Sequence, residues 1–499
     1  MKLLTLLTLV LIIFFVTTSC GQGVTQSPSL HTPESLNDIL AIALSRRVSI
    51  TRPSYDQLTQ LTYENTRTFT ELNHRPLVFG SRTRRDEISL DFAIYDTNFL
   101  FNILAAGYGP YIYFGGDKVF VPMRDVVIDA IKTQQYWCTR ELAQLYYLHL
   151  SQVIVDGHLH IDGIGMQAFY EFFVSNEEFN LSENGFSNKE SGLYVESIWL
   201  SCSPELYIDI NDIFRLSMDD SGSRFFYVPV IALPFVHDET SHSQLYIRYT
   251  DNSITALSLE VTQTQWFGGW DSQPSLDFIQ GIPVIAVRGM GSSSEPGPHG
   301  DGARQFLAYA EQLRDEDVLI IDLRGNMGGN GILHKEWLYM LTNENIPHNF
   351  HQLSTRSFNY AYESFFRVDM TLGGRVIPFD YYHSIFVNPP ERIVPNNQLI
   401  IVLSNRHTAS AAEKMIDSFF SMENTLIIGQ NTSGAALSSG ASLGGIRLPR
   451  SRIPIELGAL ISIFPDGHFQ EGLGFAPDIW VVGDALNAAV GLIENHFQP

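Results

Sequence analysis

Three cysteines in 499 residues are too few for a disulfide framework, and Cys20, Cys138 and Cys202 stand too far apart to form a zinc motif. HExxH and CxxC are both missing, as is a phosphate loop ending in Gly-Lys-Ser/Thr, so neither a resident metal nor a nucleotide or other organic cofactor is expected. Basic side chains are scarce. There are 31 Lys and Arg against 54 Asp and Glu, a net charge of −23, which repels nucleic-acid backbones and anionic membrane surfaces. Lysine is absent altogether after Lys414, which restricts the bases available to any nucleophile in the C-terminal part. Only one long apolar run occurs, at the N-terminus.

That run, LLTLLTLVLIIFFV, has 14 residues, follows Met1-Lys2 and precedes Thr17-Thr18-Ser19-Cys20-Gly21. One positive charge, a short apolar stretch and small residues make residues 1–19 a signal peptide. A spanning helix needs about 20 apolar residues, so the run is too short for one. Small residues before Cys20 and a glycine after it resemble a bacterial lipobox, in which Cys20 is lipidated; plain secretion is the alternative. The expectation is an exported protein held at the cell envelope by lipid on a bacterial membrane, touching that membrane only through its N-terminal lipid. Cys138 and Cys202 are either buried thiols or one bond in an oxidising compartment, and the apolar, helix-like context of Cys138 favours the thiol.

The remaining length exceeds a single core, and the pattern changes twice along it. Residues 20–34 are polar and read as a tether. From 35 to 163 apolar residues recur at three- and four-residue intervals, as in LNDILAIAL and RELAQLYYLHLSQVIV, which predicts a helical N-terminal domain. From 164 to 280 short β-rich runs such as RFFYVPVIAL are separated by polar turns. From 281 to 499 the apolar strands IPVIAV, VLIIDL, QLIIVL and TLIIG alternate with amphipathic helices. Such alternation predicts an α/β core on a largely parallel sheet. The loop 289–302, GMGSSSEPGPHGDG, is expected to be mobile; it lacks the third glycine of a dinucleotide fingerprint.

Within QLIIVLSNRHTASAAEKMIDSFF a buried strand gives way, through a polar turn, to a helix starting near Ser410. A serine there sits at the positive end of a helix, where free N–H groups suit a nucleophile whose attack creates an oxyanion, with the Ala411 N–H as one donor. The same spacing also makes Ser410 or Thr408 a helix cap, with Glu413 completing a capping box. Residue spacing alone leaves both readings open.

VLIIDLRGNMGGNG, TASAAE, LIIGQNTSG and GHFQEGLGFAPDIWV occur in that order, with VDGHLHI upstream. Together they resemble the C-terminal processing, or tail-specific, serine peptidases of the S41 type and their tricorn-core relatives. The resemblance implies a ClpP/crotonase-like α/β core and a serine endopeptidase acting on peptide or protein substrates. By it, Ser410 is the nucleophile, Gly328 or Gly329 supplies a second oxyanion donor beside Ala411, and Glu413 supports the serine's helix. One branch of the family draws its base from a lysine about 25 residues after the serine, a register that here holds Ala435. The other uses a histidine of an Asp-Gly-His motif and a late glutamate. These are His158, with His160 as its rival, and Glu471, the acid expected to orient the imidazole. A His158–His160 metal pair lacks a third ligand. Arg324 is expected to anchor an acidic partner in the core, and Asp478 to fix its turn by side-chain hydrogen bonds. The region 164–280 stands where relatives carry a PDZ-like insert, without a recognisable carboxylate-binding loop. A non-catalytic binding lipoprotein, holding a hydrophobic ligand or a protein partner on the same fold, is the alternative. Nothing in the sequence sets an oligomeric state.

Overall fold

The computed structural model describes residues 31–51, 83–168, 170–200, 209–234, 244–262, 264–267, 273–354, 371–372, 375–376, 393–439 and 446–497. The signal-peptide segment, Cys20 and Cys202 lie outside the described residues. Among those described, no helix is long and apolar enough to cross a membrane.

Strands Ile282–Ala286, Val318–Asp322, Leu399–Ser404, Thr425–Gly429 and Ile479–Trp480 lie side by side and parallel. Their near-continuous apolar sequences follow from burial on both faces. Ile401 and Leu403 point into one hydrophobic cluster, together with the C-terminal helix Ala485–His496 and the N-terminal helix Leu36–Val48. Ile400 and Val402 point into the other, formed with helices Pro298–Gln312, Leu333–Thr342 and Ala411–Phe419. The sheet continues beyond this core. Ile479–Trp480 pairs with Phe214–Met218, which leads to Phe225–Pro234, Tyr170–Val174 and Glu260–Val261. The β-rich stretch of 164–280 is thus built partly into the same 12-stranded sheet, across the expected boundary at 281.

The N-terminal helices Leu90–Gly107, Asp117–Ile131 and Thr139–Leu150 enclose a separate cluster. That cluster includes Leu159 and Ile161 of strand Asp156–Ile161 and Ile455 of strand Pro454–Glu456. The two strands pair antiparallel, Ile161 opposite Ile455, which carries the Asp-Gly-His motif onto the C-terminal core.

Two expectations are corrected. Cys138 is exposed and unbonded: it ends the strand Tyr136–Cys138, where alternation turns Trp137 inward and Cys138 outward. The loop 289–302 is shorter and better held than its composition predicts. A helix begins at Pro298, whose fixed φ suits a first helical position. Upstream, the Arg304 guanidinium donates to the carbonyls of Ser293 and Glu295 at 2.6 and 3.1 Å.

Arg47, in the last turn of helix Leu36–Val48, is buried against the core. It donates to Asp478 and the Thr425 carbonyl at 2.8 Å each, and to the Met422 carbonyl at 3.1 Å. Asp478 also accepts from the Ile427 N–H at 2.9 Å. Removing one partner of a buried pair strands the other, so Arg47→Ala is expected to lower stability by about 3–5 kcal/mol in denaturant titration. A loss below about 1 kcal/mol, the range of exposed pairs, would show that this contact does not hold the helix.

Candidate active site

Strand Leu399–Ser404 ends in a turn fastened by its own side chains. The Asn405 N–H donates to Thr408 Oγ1 at 3.1 Å, and Thr408 Oγ1 donates to the Leu323 carbonyl at 2.9 Å. The Asn405 side-chain oxygen accepts from Gly325 and His407 at 3.0 and 3.1 Å. Ser410 follows with φ 55° and ψ −116°, and helix Ala411–Phe419 starts one residue later. A non-glycine residue held there costs about 1–3 kcal/mol, and such strain persists only where surrounding bonds dictate it. One of those bonds is from the Ser410 N–H to Glu413 at 2.9 Å. The outcome is a hydroxyl lifted clear at the junction of a strand and a helix.

The Ser410 hydroxyl lies 3.1 Å from His158 Nε2, although 252 positions separate the two residues. His160 goes elsewhere: its Nδ1 is 3.6 Å from the Glu456 carboxylate. Burial holds the His158 pKa below its ordinary value; the Asp156 charge opposes this and the charges of Lys414 and His160 reinforce it.

Glu413 and Glu471 are both buried, and both bind one short stretch of backbone. Glu413 accepts from the Thr432 hydroxyl at 2.6 Å and from the N–H groups of Gly434 and Ala435 at 2.7 and 2.9 Å. Glu471 accepts from the next two amides, Ala436 and Leu437, at 3.0 and 2.8 Å, and through its other oxygen from Gly157 at 2.9 Å. Burial pushes the Glu413 carboxyl up against those donors. Burial and then the Asp156 charge push the Glu471 carboxyl well up, opposed by the Gly157 and Leu437 N–H groups.

Sequence reasoning placed Glu471 on the imidazole. Here its hydrogen bonds go instead to backbone, one residue from His158, and His158 Nδ1 is buried without a hydrogen-bond partner among the described residues. The position that would carry a dyad lysine, Ala435, packs on the same strand: a Cβ on Gly157 would come 3.0 Å from the Ala435 methyl.

The glycine turn after strand Val318–Asp322 lies against the serine. Gly328, at φ 95°, approaches so closely that a Cβ would meet Ala409 O, Ala411 N and Ser410 Cβ at 2.7 Å each. Its own N–H donates to the Asn326 side chain at 2.9 Å, so of the two expected glycine donors Gly329 is the one not already engaged by Asn326. Asn326 also accepts the Ala409 N–H at 2.9 Å through its carbonyl and donates to the Val287 carbonyl at 3.1 Å. Ala411 N, at the first position of the helix, makes no hydrogen bond among the described residues. Beneath the turn, Arg324 grips Asp322 with two bonds of 2.9 Å and reaches Asp484 at 2.9 Å, while Arg288 adds a bond of 2.7 Å to Asp322. Burial opposes ionisation of Asp322, but these guanidiniums outweigh it and hold the carboxyl below its ordinary value.

Asn326 and Tyr108 had no assigned role in the sequence, and Thr408 was named there only as an alternative helix cap. Asn326 and Thr408 sit inside quoted motifs, where a polar residue between a strand and a helix is a legible signal for a turn-fastening side chain. Tyr108, which donates to Asp156 at 2.6 Å, lies 48 residues upstream in a helical region and carries no such signal.

Among the described residues no group of three or more His, Cys, Asp or Glu side chains is arranged to hold a metal ion. The arrangement offers a half-buried hydroxyl, an imidazole in hydrogen-bond reach and backbone N–H groups beside it, the parts required for acyl transfer.

No curated protein sequence matches the chain. Among solved structures it is similar to mature CPAF, with 14% identity over 81% of this chain and 95% of that one and a TM-score of 0.40. It is also similar to the photosystem II D1 C-terminal processing protease, at 11% identity over 82% and 97% with a TM-score of 0.36. The tricorn protease matches at 11% identity over 79% of this chain and 34% of that one, with a TM-score of 0.32. From the first strand of the parallel core to the last, residues 282–481 match the description Peptidase family S41.

Proposed function

We propose that the protein is an exported serine endopeptidase, anchored at the cell envelope by lipid on Cys20, that cleaves peptide bonds of peptide or protein substrates. The observation that carries the reading is the Ser410 hydroxyl 3.1 Å from His158 Nε2, at a strained turn beside the Ala411 N–H.

In the proposed step the Ser410 oxygen attacks the scissile carbonyl carbon. A C–O bond forms as the carbonyl π pair moves onto oxygen, and the hydroxyl proton passes to His158 Nε2. The N–H groups of Ala411 and Gly329 face the developing oxyanion. Collapse of the tetrahedral species breaks the C–N bond, and the leaving amine takes the proton from His158. Water, deprotonated by the same imidazole, then releases the acyl group from Ser410. Glu413 and Glu471 hold the backbone of serine and histidine against the 432–437 stretch.

A fluorophosphonate probe tests this: the reading requires label on Ser410, mapped by mass spectrometry and lost in His158→Ala. Absence of label together with tight binding of an apolar ligand would point instead to a binding lipoprotein. The pH profile gives a separate check. His158 acts as a base only when neutral, so kcat/KM falls as pH drops through its pKa. Burial depresses that pKa, so the acid limb is expected below the ordinary histidine value of about 6.5. A limb centred above about 7 would remove His158 from the role.

A further inference from the structure

Two carboxylates lie near the histidine, and their hydrogen bonds divide the work between them. Both oxygens of Glu471 are committed to amides, one to Gly157 and the other to Ala436 and Leu437. None of these contacts reaches the ring. Asp156 is fully buried, and its Oδ1 is 4.0 Å from His158 Nδ1. It is fixed from three sides: the Tyr108 hydroxyl donates at 2.6 Å, the Ser438 hydroxyl at 2.8 Å and the His158 N–H at 2.8 Å. Those donors come from the N-terminal helical part, the short strand Ser438–Ser439 and the histidine strand itself.

Resting on the peptidase reading above, we propose that Asp156, and not Glu471, is the carboxylate that stabilises the His158 imidazolium, with Glu471 acting as a positioning residue through the backbone of Gly157. When His158 takes the Ser410 proton, positive charge appears on a ring whose Nδ1–H side faces Asp156. The proton stays on the imidazole; Asp156 supplies charge only. At 4.0 Å in a buried setting an opposite charge is felt strongly, because little water intervenes. Glu471 is poorly suited to that task, since burial and the Asp156 charge both push its carboxyl toward the neutral form. The other charged groups acting on the ring are His160 from the same strand and Lys414 from the serine's helix, and both oppose the imidazolium.

The test is the pH dependence of fluorophosphonate labelling and of kcat/KM in the full chain and in Asp156→Asn and Glu471→Gln, with folding checked by thermal melting. Asp156→Asn removes a charge that raises the histidine pKa, so its acid limb is expected to move down by about one pH unit. Its plateau rate is expected to drop roughly 10²-fold, less than the roughly 10⁴-fold seen where a triad carboxylate bonds its imidazole directly. Glu471→Gln is expected to slow the reaction while its limb stays at the wild-type pH. Asp156→Asn with an unmoved limb overturns the assignment, and so does a shifted limb in Glu471→Gln. If Asp156→Asn does not fold, the Glu471→Gln limb decides alone. Wild-type protein that takes no label at any pH is a different outcome, which defeats the hydrolase reading itself.

Discussion

Ser410→Ala is expected to lower kcat/KM on a casein-like substrate by about 10⁴–10⁶-fold while leaving the protein folded. The side-chain oxygen bonds His158 and accepts from the Glu413 N–H in a capping box, so its removal is expected to forfeit about 1–2 kcal/mol of stability. The backbone bonds that impose the strained turn, Ser410 N–H to Glu413 and Ala409 N–H to Asn326, do not involve the hydroxyl and persist in the variant. Near-complete loss of turnover with only a small drop in melting temperature is therefore the signature of a nucleophile. If the hydroxyl served only as a helix cap, the pattern would reverse, with about 1 kcal/mol of stability lost and turnover intact. Hydrolysis persisting at the wild-type rate in this variant would end the assignment of Ser410.

Gly328→Ala is the second change with a large expected effect, and it acts through backbone. The added methyl would stand 2.7 Å from Ala409 O, Ala411 N and Ser410 Cβ, none of which is the loose end of a flexible chain. At φ 95° the alanine is strained even before that collision. Strain and overpacking together are expected to cost about 3 kcal/mol. The serine and the Ala411 N–H must shift to admit the methyl, so turnover is expected to fall by about 10²–10³-fold. Gly331→Ala is the internal control: it lies three residues on, with no atom within 4 Å of a built Cβ, and should change neither quantity appreciably. Equal losses in the two variants, read by denaturant midpoint and kcat/KM, would show that crowding against the nucleophile is not the cause.

The parallel core was legible because burial on both faces leaves an unmistakable trace, runs such as LIIVL and TLIIG with helices between them. The elbow at Ser410 was legible for a related reason: a strand-to-helix turn must carry polar fasteners, and Asn405, Thr408 and Glu413 are such residues. Placement of His158 came from a motif likeness, and residue pattern alone could not choose it over His160. In the folded chain His160 stands opposite Glu456 while His158 meets the serine. The partners of Glu471 were hidden because amides have no sequence signature; any residue can donate an N–H, and Gly157, Ala436 and Leu437 look inert in the chain. Cys138 was misread because its apolar neighbours suggested helix, whereas a short strand before the helix turned its thiol outward. The loop before Pro298 is shorter than its glycine and serine content suggested, and Arg304 gathers two of its carbonyls.

Ser410 and His158 meet from separately packed parts, the histidine strand within the N-terminal hydrophobic cluster and the serine helix within the sheet's own. Synthesis delivers the imidazole more than 250 residues ahead of the hydroxyl, and Glu471, which pins the histidine strand, later still. Any hydrolysis that needs all of these groups is therefore withheld from the growing chain and from a half-folded one. On the proposed reading, completion of the fold would itself be the condition for cleavage.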